Sequence, residues 1–238
     1  MAARSYGQYC GVTSAVELVG ERWALLILRD LLVGPRRYTD LKQGLPRIPT
    51  NILSTRLKEL QEGGVVRRVP LARCGLVYEL TEYGRALEPI MIALGRWGFQ
   101  TMGDPEDGDI VTPDSLSMAL RTSFRPEHAA DADYELHVGE VALRATVRDR
   151  ALAIARIAPD PTVAGNRIPD GDPDGVIVAG PGIRRLIGGE VDAAEALDQD
   201  LVAVVRGDAS LLGTFAETFR IDRIIPAPDR DVAERALT

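Results

Sequence analysis

A short charged segment divides this chain into two parts of opposite character. Residues 103–109 read Gly-Asp-Pro-Glu-Asp-Gly-Asp, and an acidic run with glycine and proline and no apolar side chain is typical of a linker. Residues 1–104 carry 14 Lys and Arg against 10 Asp and Glu, a formal charge of +4, whereas the remaining residues carry 14 against 25, a charge of −11. We therefore predict two domains, over residues 1–104 and 110–238, of which the basic first one can approach a polyanion.

Composition excludes several classes of protein. The 238 residues are 45% apolar and 26% charged, which suits globular domains and not long disorder or coiled-coil arrays. No run approaches eighteen uninterrupted apolar residues, so no membrane partner is expected. The first residues lack the apolar region of a signal peptide, and the two cysteines, Cys10 and Cys74, cannot form a disulfide scaffold. A cytoplasmic protein is therefore expected.

Hydrophobic periodicity predicts different architectures for the two parts. The first reads as helices over 12–19, 23–33, 38–43 and 49–62, a β-hairpin over 65–69 and 76–80, and one long helix from Thr81 to about Met102. The second reads as strands over 134–138, 141–147, 151–157, 175–178 and 201–205, with helices over 116–124, 181–187, 192–197 and 209–219. The fold class is therefore α+β: a helical domain with one β-hairpin, then an α+β domain whose mainly antiparallel sheet is covered by helices.

The predicted helix over 49–62 has two distinct faces. At 100° per residue, Leu53, Leu57 and Leu60 share one face. The other face carries small or hydrogen-bonding side chains, namely Thr50, Asn51, Ser54, Thr55 and Lys58. An α-helix in the DNA major groove needs such side chains to reach base edges, and an asparagine can pair bidentately with adenine. Taken alone, this face fits an ordinary solvent-facing helix equally well.

The surroundings of this helix favour DNA binding over the ordinary surface helix. A short helix precedes it through a Gly-Leu-Pro turn, and the hairpin that follows carries Arg67, Arg68 and Arg73. This order is a winged-helix arrangement, in which the wing places arginines against phosphates or in the minor groove. We expect Asn51, Ser54 and Thr55 to face base edges, and Lys58 with the three wing arginines to contact phosphates.

Residues 10–98 resemble the HxlR family of winged helix-turn-helix regulators, relatives of the MarR group. The matching residues are Cys10, Leu18-Val-Gly-Glu-Arg-Trp23, Leu26-Ile-Leu28, Gly34-Pro-Arg-Arg-Tyr38, Leu41, Leu53, Arg56-Leu-Lys-Glu-Leu60, Gly64, Tyr78-Glu-Leu-Thr81, Gly84, Leu87 and Trp97-Gly98. The sequence departs from the family pattern at Pro49, where a small polar residue is usual, and at Gly11, where proline is common. The resemblance implies a homodimeric transcription factor on a pseudo-palindromic operator.

An apolar stripe after the hairpin suggests how two copies would meet. It comprises Tyr83, Leu87, Ile90, Leu94 and Trp97, at steps of four and three residues, the spacing of a helix–helix seam. Pro89 lies within the stripe and can kink it. The alternative is that the stripe covers the core of its own domain. The family resemblance favours the dimer, because the first and last helices of the domain usually form it.

Cys10 stands just before the first predicted helix. A thiol near a helix N-terminus can have a lowered pKa and become reactive. The family resemblance adds that some members use a cysteine here to sense oxidants or aldehydes. Cys10 is therefore a candidate redox sensor, and the alternative is a small apolar residue with a packing role.

The second part shows no catalytic constellation, so neither an enzyme nor a cofactor or metal site is expected. It contains no cysteine, and its glycine pattern fails the dinucleotide fingerprint. The order of its elements over about 110–225 resembles a sterol-carrier-protein-type lipid-binding domain, which implies an apolar tunnel. The candidate pocket residues are Leu143, Ile154, Val178, Leu186, Leu212, Phe215 and Phe219. Alternatively, these residues only fill the core.

The sequence thus predicts a homodimeric regulator that binds double-stranded operator DNA, with a second domain that either takes a small apolar effector or adds an interaction surface. The alternative is a ligand carrier or binding module in which the winged helix serves only dimerisation.

Overall fold

The computed structural model describes residues 5–71, 75–157 and 170–224. The chain divides into two compact units between Met91 and Ile92. The first unit is mainly helical with a two-stranded hairpin, and the second is built on a five-stranded sheet. Within the described ranges, no helix is both long and apolar enough to cross a bilayer.

The first unit has the order of a winged helix-turn-helix. Its elements are α1 (Gly11–Val19), α2 (Ala24–Val33), α3 (Tyr38–Gly44), α4 (Thr50–Glu62), β1 (Val66–Leu71), β2 (Gly75–Leu80), α5 (Glu82–Arg85) and the first turn of α6 (Glu88–Phe99). The core joins Ile27 and Leu28 of α2 to Leu53 and Leu57 of α4, all of them buried. Apolar side chains three and four residues apart therefore fix which face of α4 is left for solvent.

Two backbone features place the hairpin directly after α4. Gly64 has a φ of +70°, a left-handed conformation that costs glycine little, so the chain turns there out of the helix and into β1. Strands β1 and β2 pair antiparallel, with Arg67 opposite Glu79. The backbone of Arg36 then pairs with that of Tyr78, at 2.9 and 2.7 Å, which ties the hairpin to the chain just before α3.

The single helix predicted from Thr81 to Met102 is wrong, because the structure divides it into α5 and α6. The Thr81 hydroxyl accepts a hydrogen bond from the Gly84 N–H at 3.1 Å and so caps the N-terminus of α5. That helix ends at Arg85. The second helix begins at Glu88, so that Pro89 lies in its first turn. Proline has no N–H for a helical hydrogen bond but is tolerated in a first turn, and a break before Pro89 places it there.

The second unit is an α+β fold with a mainly antiparallel sheet. After the end of α6 it contains α7 (Pro113–Ser123), β3 (Ala132–Val138), β4 (Val141–Arg148), β5 (Ala151–Arg156), β6 (Gly175–Ala179), α8 (Ile183–Ile187), α9 (Ala193–Asp198), β7 (Val202–Arg206) and α10 (Ser210–Thr218). The strand order is β5-β4-β3-β6-β7, in which only the β3–β6 pair is parallel. These elements agree with the predicted ones to within a few residues at their ends.

The two faces of this sheet differ in chemistry. Tyr134 and Leu136 of β3 point to an apolar face, which packs against Leu212 and Phe215 of α10. The alternate β3 residues, Asp133 among them, point to the opposite face. Such alternation is the period-two signature of a strand with one face on a core.

The second unit begins at Ile92 because the end of α6 is bonded into it. Arg96 donates to the Thr122 carbonyl at 2.9 Å, and Gln100 both donates to the Asp222 carbonyl and accepts from the Ile224 N–H at 2.6 Å. Asp104 then accepts from Arg184 at 2.9 Å. The boundary predicted within residues 103–109 stays a prediction.

Candidate nucleic-acid interface

Helix α4 presents one polar face to solvent. Leu53, Leu57 and Leu60 are 0%, 1% and 1% exposed, as the leucine spacing predicts. Thr50, Asn51, Ser54 and Lys58 are exposed, and Thr55 is half-buried. The residues expected at a major groove therefore lie together on the side away from the core. The N-cap is Pro49, which has extended backbone and makes no side-chain cap.

The side chains on this face differ in how their hydrogen-bonding groups are used. The Ser54 hydroxyl donates to the Thr50 carbonyl at 3.1 Å, and the Thr55 hydroxyl donates to the Asn51 carbonyl at 2.9 Å. Lys58 lies 3.6 Å from Glu62, and both side chains are mostly exposed. The Asn51 amide makes no hydrogen bond to any other described residue, so it is available to pair with a base edge.

The wing places its two described arginines in different environments. Arg67 forms a cross-strand ion pair with Glu79, with distances of 2.7 and 2.6 Å from Nε and Nη2 to Oε1. Arg68 lies over the ring of Tyr78, 5.7 Å from its centroid, and is exposed. The Arg67 charge is therefore partly neutralised by Glu79 within the wing, whereas the Arg68 guanidinium faces solvent. The third predicted arginine, Arg73, lies outside the described residues.

Two residues near α4 were not singled out from the sequence as site residues. The Tyr38 hydroxyl donates to the Thr50 carbonyl at 2.9 Å and lies 3.2 Å from the Ser54 hydroxyl. Arg47 is exposed in the turn between α3 and α4, where it adds a cation near the N-terminus of α4. Arg47 could have been found from the sequence, because a basic residue between the two helices of a helix-turn-helix lies near the proposed DNA. Periodicity could not show that Tyr38 contacts α4.

The predicted apolar seam is partly exposed and partly buried. Tyr83, Ile90, Leu94 and Trp97 are 62%, 58%, 40% and 75% exposed, whereas Leu87 packs against the core of the first unit. Because the helix is interrupted between α5 and α6, the five residues do not form one helical stripe. Three of the four exposed ones share α6. For Leu87, the alternative interpretation holds.

Cys10 is exposed and is the N-cap residue of α1. Its thiol makes no capping hydrogen bond of ordinary geometry. The nearby backbone N–H of Thr13, then that of Val12, and then the Thr13 hydroxyl lower the pKa of the Cys10 thiol, because these groups stabilise the thiolate. The other cysteine, Cys74, lies outside the described residues.

Most of the predicted pocket residues lie in the core of the second unit. Leu143, Leu186, Leu212, Phe215 and Phe219 are at most 1% exposed, and Ile154 is half-buried against the same cluster. Including Val178 is wrong: it is 41% exposed, because it pairs with His137 on the sheet face opposite this core.

The aromatic core of the second unit contains two buried hydroxyl groups. The rings of Tyr134, Phe215 and Phe219 lie 4.8–6.0 Å apart between centroids. The hydroxyls of Tyr134 and Thr218 have no hydrogen bond of ordinary geometry among the described residues. Burial raises the pKa of Tyr134 to about 12, although the Thr218 hydroxyl opposes this effect. No three His, Cys, Asp or Glu side chains in the described ranges are grouped to hold a metal ion.

Comparison with known proteins identifies relatives over part of the chain. A family model described as HxlR-like helix-turn-helix matches residues 18–106. YvaP of Bacillus subtilis, an uncharacterized HTH-type transcriptional regulator, is 39% identical over 85 residues, which are 35% of this chain and 79% of YvaP. An uncharacterized HTH-type transcriptional regulator of Mycobacterium tuberculosis is 44% identical over 131 residues, 54% of this chain and 77% of the relative.

A third relative is the HTH-type transcriptional regulator YodB of Bacillus subtilis. It is 36% identical over 100 residues, which are 41% of this chain and 87% of YodB. These relatives are transcriptional regulators, and this chain covers more than two thirds of each. The order of helices and wing in the first unit agrees with that assignment. The chain belongs to the HxlR-like helix-turn-helix family.

Proposed function

We propose that this protein is a transcriptional regulator that binds operator DNA as a homodimer. In this proposal α4 enters the major groove and the β1–β2 wing contacts the sugar-phosphate backbone. The observation that carries the proposal is the outward face of α4, where Asn51, Ser54 and Lys58 are exposed while its leucines are buried. The regulators to which the chain is related support it independently.

Each side chain of the proposed interface has a role that follows from its chemistry. Asn51, Ser54 and Thr55 meet base edges, and the Asn51 amide can pair bidentately with adenine. Lys58, Arg68 and Arg73 contact phosphates, which carry affinity without sequence information. Arg67 joins them when its pair with Glu79 opens. The N–H groups at the start of α4 also favour a nearby phosphate, because the helix dipole is positive there.

Exposed apolar side chains support the homodimer. Ile90, Leu94 and Trp97 of α6 face solvent, and α1 contains no buried residue although Val12 and Val16 are apolar. Large apolar side chains exposed along one helix in this way mark surfaces that another protein covers. A second copy of the chain is the proposed occupant, since a twofold reader matches a pseudo-palindromic operator.

The proposal is tested by selecting bound sequences from random DNA with the full chain. We expect one enriched pseudo-palindrome, with an affinity that falls with salt at a slope of about −0.9 per phosphate contact. If selected and random DNA bind equally, and neither affinity depends on salt, the alternative stands: a carrier or binding module in which the first unit serves only dimerisation.

We further propose that Cys10 senses oxidants. Its support is the exposed thiol and the lowered thiol pKa, because the thiolate is the form that electrophiles attack. The variant Cys10→Ser should bind the operator as the wild type does but lose any response to peroxide. An operator affinity of the wild type that ignores peroxide would assign Cys10 a structural role.

We also propose that the second unit binds an apolar effector within the core formed by Leu143, Leu186, Leu212, Phe215 and Phe219. The buried hydroxyls of Tyr134 and Thr218 support this proposal, because they lie near each other without a hydrogen bond of ordinary geometry and a polar group on an apolar ligand could bond to either. The test is an operator titration with and without fatty acids, sterols and hydrophobic metabolites. A shift of about five- to 150-fold is typical of such coupling, and no shift with any compound contradicts the proposal.

A further inference from the structure

A small hydrogen-bonded group joins α3 to the DNA-facing side of α4. It consists of the Tyr38 hydroxyl, the Thr50 carbonyl and the Ser54 hydroxyl. Tyr38 Oη lies 2.9 Å from Thr50 O and 3.2 Å from Ser54 Oγ, and Ser54 Oγ lies 3.1 Å from Thr50 O. Tyr38 is half-buried, whereas Ser54 is exposed. The tyrosine therefore approaches the serine from the protein side.

Counting protons shows what Ser54 can offer to DNA. The group contains two hydroxyl hydrogens. When Tyr38 donates to Thr50, the Ser54 hydrogen points to the Thr50 carbonyl or to Tyr38 Oη. When Tyr38 donates to Ser54, the Ser54 hydrogen points to the Thr50 carbonyl. In each arrangement that keeps both hydroxyl hydrogens bonded within the group, the Ser54 hydrogen points into the protein, so a lone pair of Ser54 Oγ remains for an outside donor. Turning that hydrogen toward a base acceptor would give up one of these internal bonds.

Each base pair offers one amino group in the major groove that could meet such an acceptor. Adenine offers its N6 amino group and cytosine its N4 amino group, whereas guanine and thymine present only acceptors and a methyl group there. We propose that Ser54 recognises the exocyclic amino group of an adenine or a cytosine, and that Tyr38 is the positioning residue that keeps its hydroxyl an acceptor. This inference rests on the proposed DNA-binding function.

Thr55 and Asn51 are not expected to have the same selectivity. The Thr55 hydroxyl also donates inward, to the Asn51 carbonyl at 2.9 Å, but Thr55 is half-buried and less able to reach a base. The Asn51 amide carries both a donor and an acceptor and can serve either kind of edge. The base preference assigned to Ser54 therefore concerns one base pair in each operator half-site.

The test uses the full chain in four forms: wild type, Ser54→Ala, Tyr38→Phe and Tyr6→Phe. Each form is taken through selection from random DNA. Tyr6→Phe is the matched control, because it removes a phenol hydroxyl from an exposed tyrosine that lies before the first helix. We expect Ser54→Ala to relax the preference at one base pair per half-site, the pair whose adenine or cytosine amino group Ser54 contacts. Tyr38→Phe should weaken the preference at that same position, and Tyr6→Phe should not.

Base analogues then test the amino group itself. At the position found, adenine is replaced by purine, or cytosine by 2-pyrimidinone, each of which lacks only the amino group. The wild type should lose about two- to tenfold in affinity, the usual effect of one neutral hydrogen bond. Ser54→Ala should lose nothing further. Thermal unfolding of all four forms checks that the folds are equally stable.

The outcomes separate this inference from the function on which it rests. Selection that enriches no sequence with the wild type defeats the proposed function itself. With an operator in hand, two results overturn the inference alone: Ser54→Ala relaxes no position, or the analogue costs Ser54→Ala as much as the wild type. If Tyr38→Phe leaves the preference unchanged, Tyr38 does not position Ser54.

Discussion

Arg144 and Asp133 form a bidentate ion pair on the sheet face opposite the aromatic core. Arg144 Nε lies 2.5 Å from Asp133 Oδ1, and Arg144 Nη2 lies 2.8 Å from Oδ2. The pair is nearly buried, and Thr146 donates to the same carboxylate at 3.0 Å. Arg144 also donates to the Gly171 carbonyl at 3.1 Å. The pair therefore joins β3, β4 and the segment before β6.

Removing one member of this pair should destabilise the second unit. Asp133→Asn leaves the Arg144 charge buried without its partner, which costs about 3–5 kcal/mol in comparable pairs. The free energy of unfolding in urea measures the loss. The matched control is Asp172→Asn, which breaks the exposed pair with Arg206 and should cost at most about 1 kcal/mol. Equal losses for the two variants would show that burial does not set the energy of the Asp133 pair.

The same pair predicts how stability depends on pH. Burial opposes ionisation of Asp133, but hydrogen bonds from Arg144 and then Thr146 outweigh it and hold the pKa of its carboxyl below the ordinary value of 3.8. A carboxyl with a lowered folded pKa stabilises the fold above its unfolded pKa, and this contribution is lost as pH falls through the folded pKa. The urea concentration at the unfolding midpoint should therefore decrease as the pH is lowered from about 5 to about 3. Asp133→Asn should show a smaller fall, and an identical fall would exclude Asp133 as its source.

Substitutions on α4 and the wing should separate affinity from specificity. Lys58→Ala and Arg68→Ala remove proposed phosphate contacts, so each should weaken all sequences alike and reduce the salt slope by about one unit. Asn51→Ala should relax one position per half-site, by about 1–3 kcal/mol. Titrations of operator and random DNA over a salt series measure both effects. Arg150→Ala, which removes an exposed charge in the second unit, should change neither quantity, and equal loss of specific and non-specific binding in Asn51→Ala would contradict its base contact.

A charge placed on the exposed face of α6 should separate the proposed dimer. Ile90→Glu and Trp97→Glu bury an unpaired carboxylate if a second copy covers this face, so each should raise the dimer dissociation constant by about tenfold or more. Sedimentation velocity measures the association. Ile110→Glu alters a similarly exposed apolar residue outside the seam and serves as the control. A dimer that ignores both substitutions in α6 would have another interface.

The Cys10 thiol should ionise more readily than an ordinary thiol. The nearby N–H groups of Thr13 and Val12 lower the pKa of the thiol. The labelling rate of Cys10 in a Cys74→Ser background should therefore rise at lower pH than that of an unstructured cysteine peptide. Thr13→Ala removes one contributing hydroxyl and should move the midpoint back only in part, because the backbone groups remain. Coincident curves for protein and peptide would contradict the lowered pKa.

Much of the fold could be predicted from local pattern. The spacing of Leu53, Leu57 and Leu60 identified the buried face of α4, because a helix repeats every 3.6 residues and buries one stripe. Alternation identifies the strands of the second unit, and the predicted start of a helix at Thr81 agrees with its position as the N-cap of α5. The polar face of α4 followed from the same periodicity. Each of these properties depends on residues close together along the chain.

Other properties were decided only by contacts between distant residues. Alternation marks two faces of β6, but only its pairing with β3 shows that Val178 lies away from the core. The pairing of Arg67 with Glu79 depends on the register of the hairpin. The contact of Tyr38 with Ser54 depends on how α3 packs against α4. The sequence by itself determines which side chains are apolar and at what spacing they recur. Packing determines which polar groups meet, because hydrogen bonds and ion pairs require positions that are set by the whole unit.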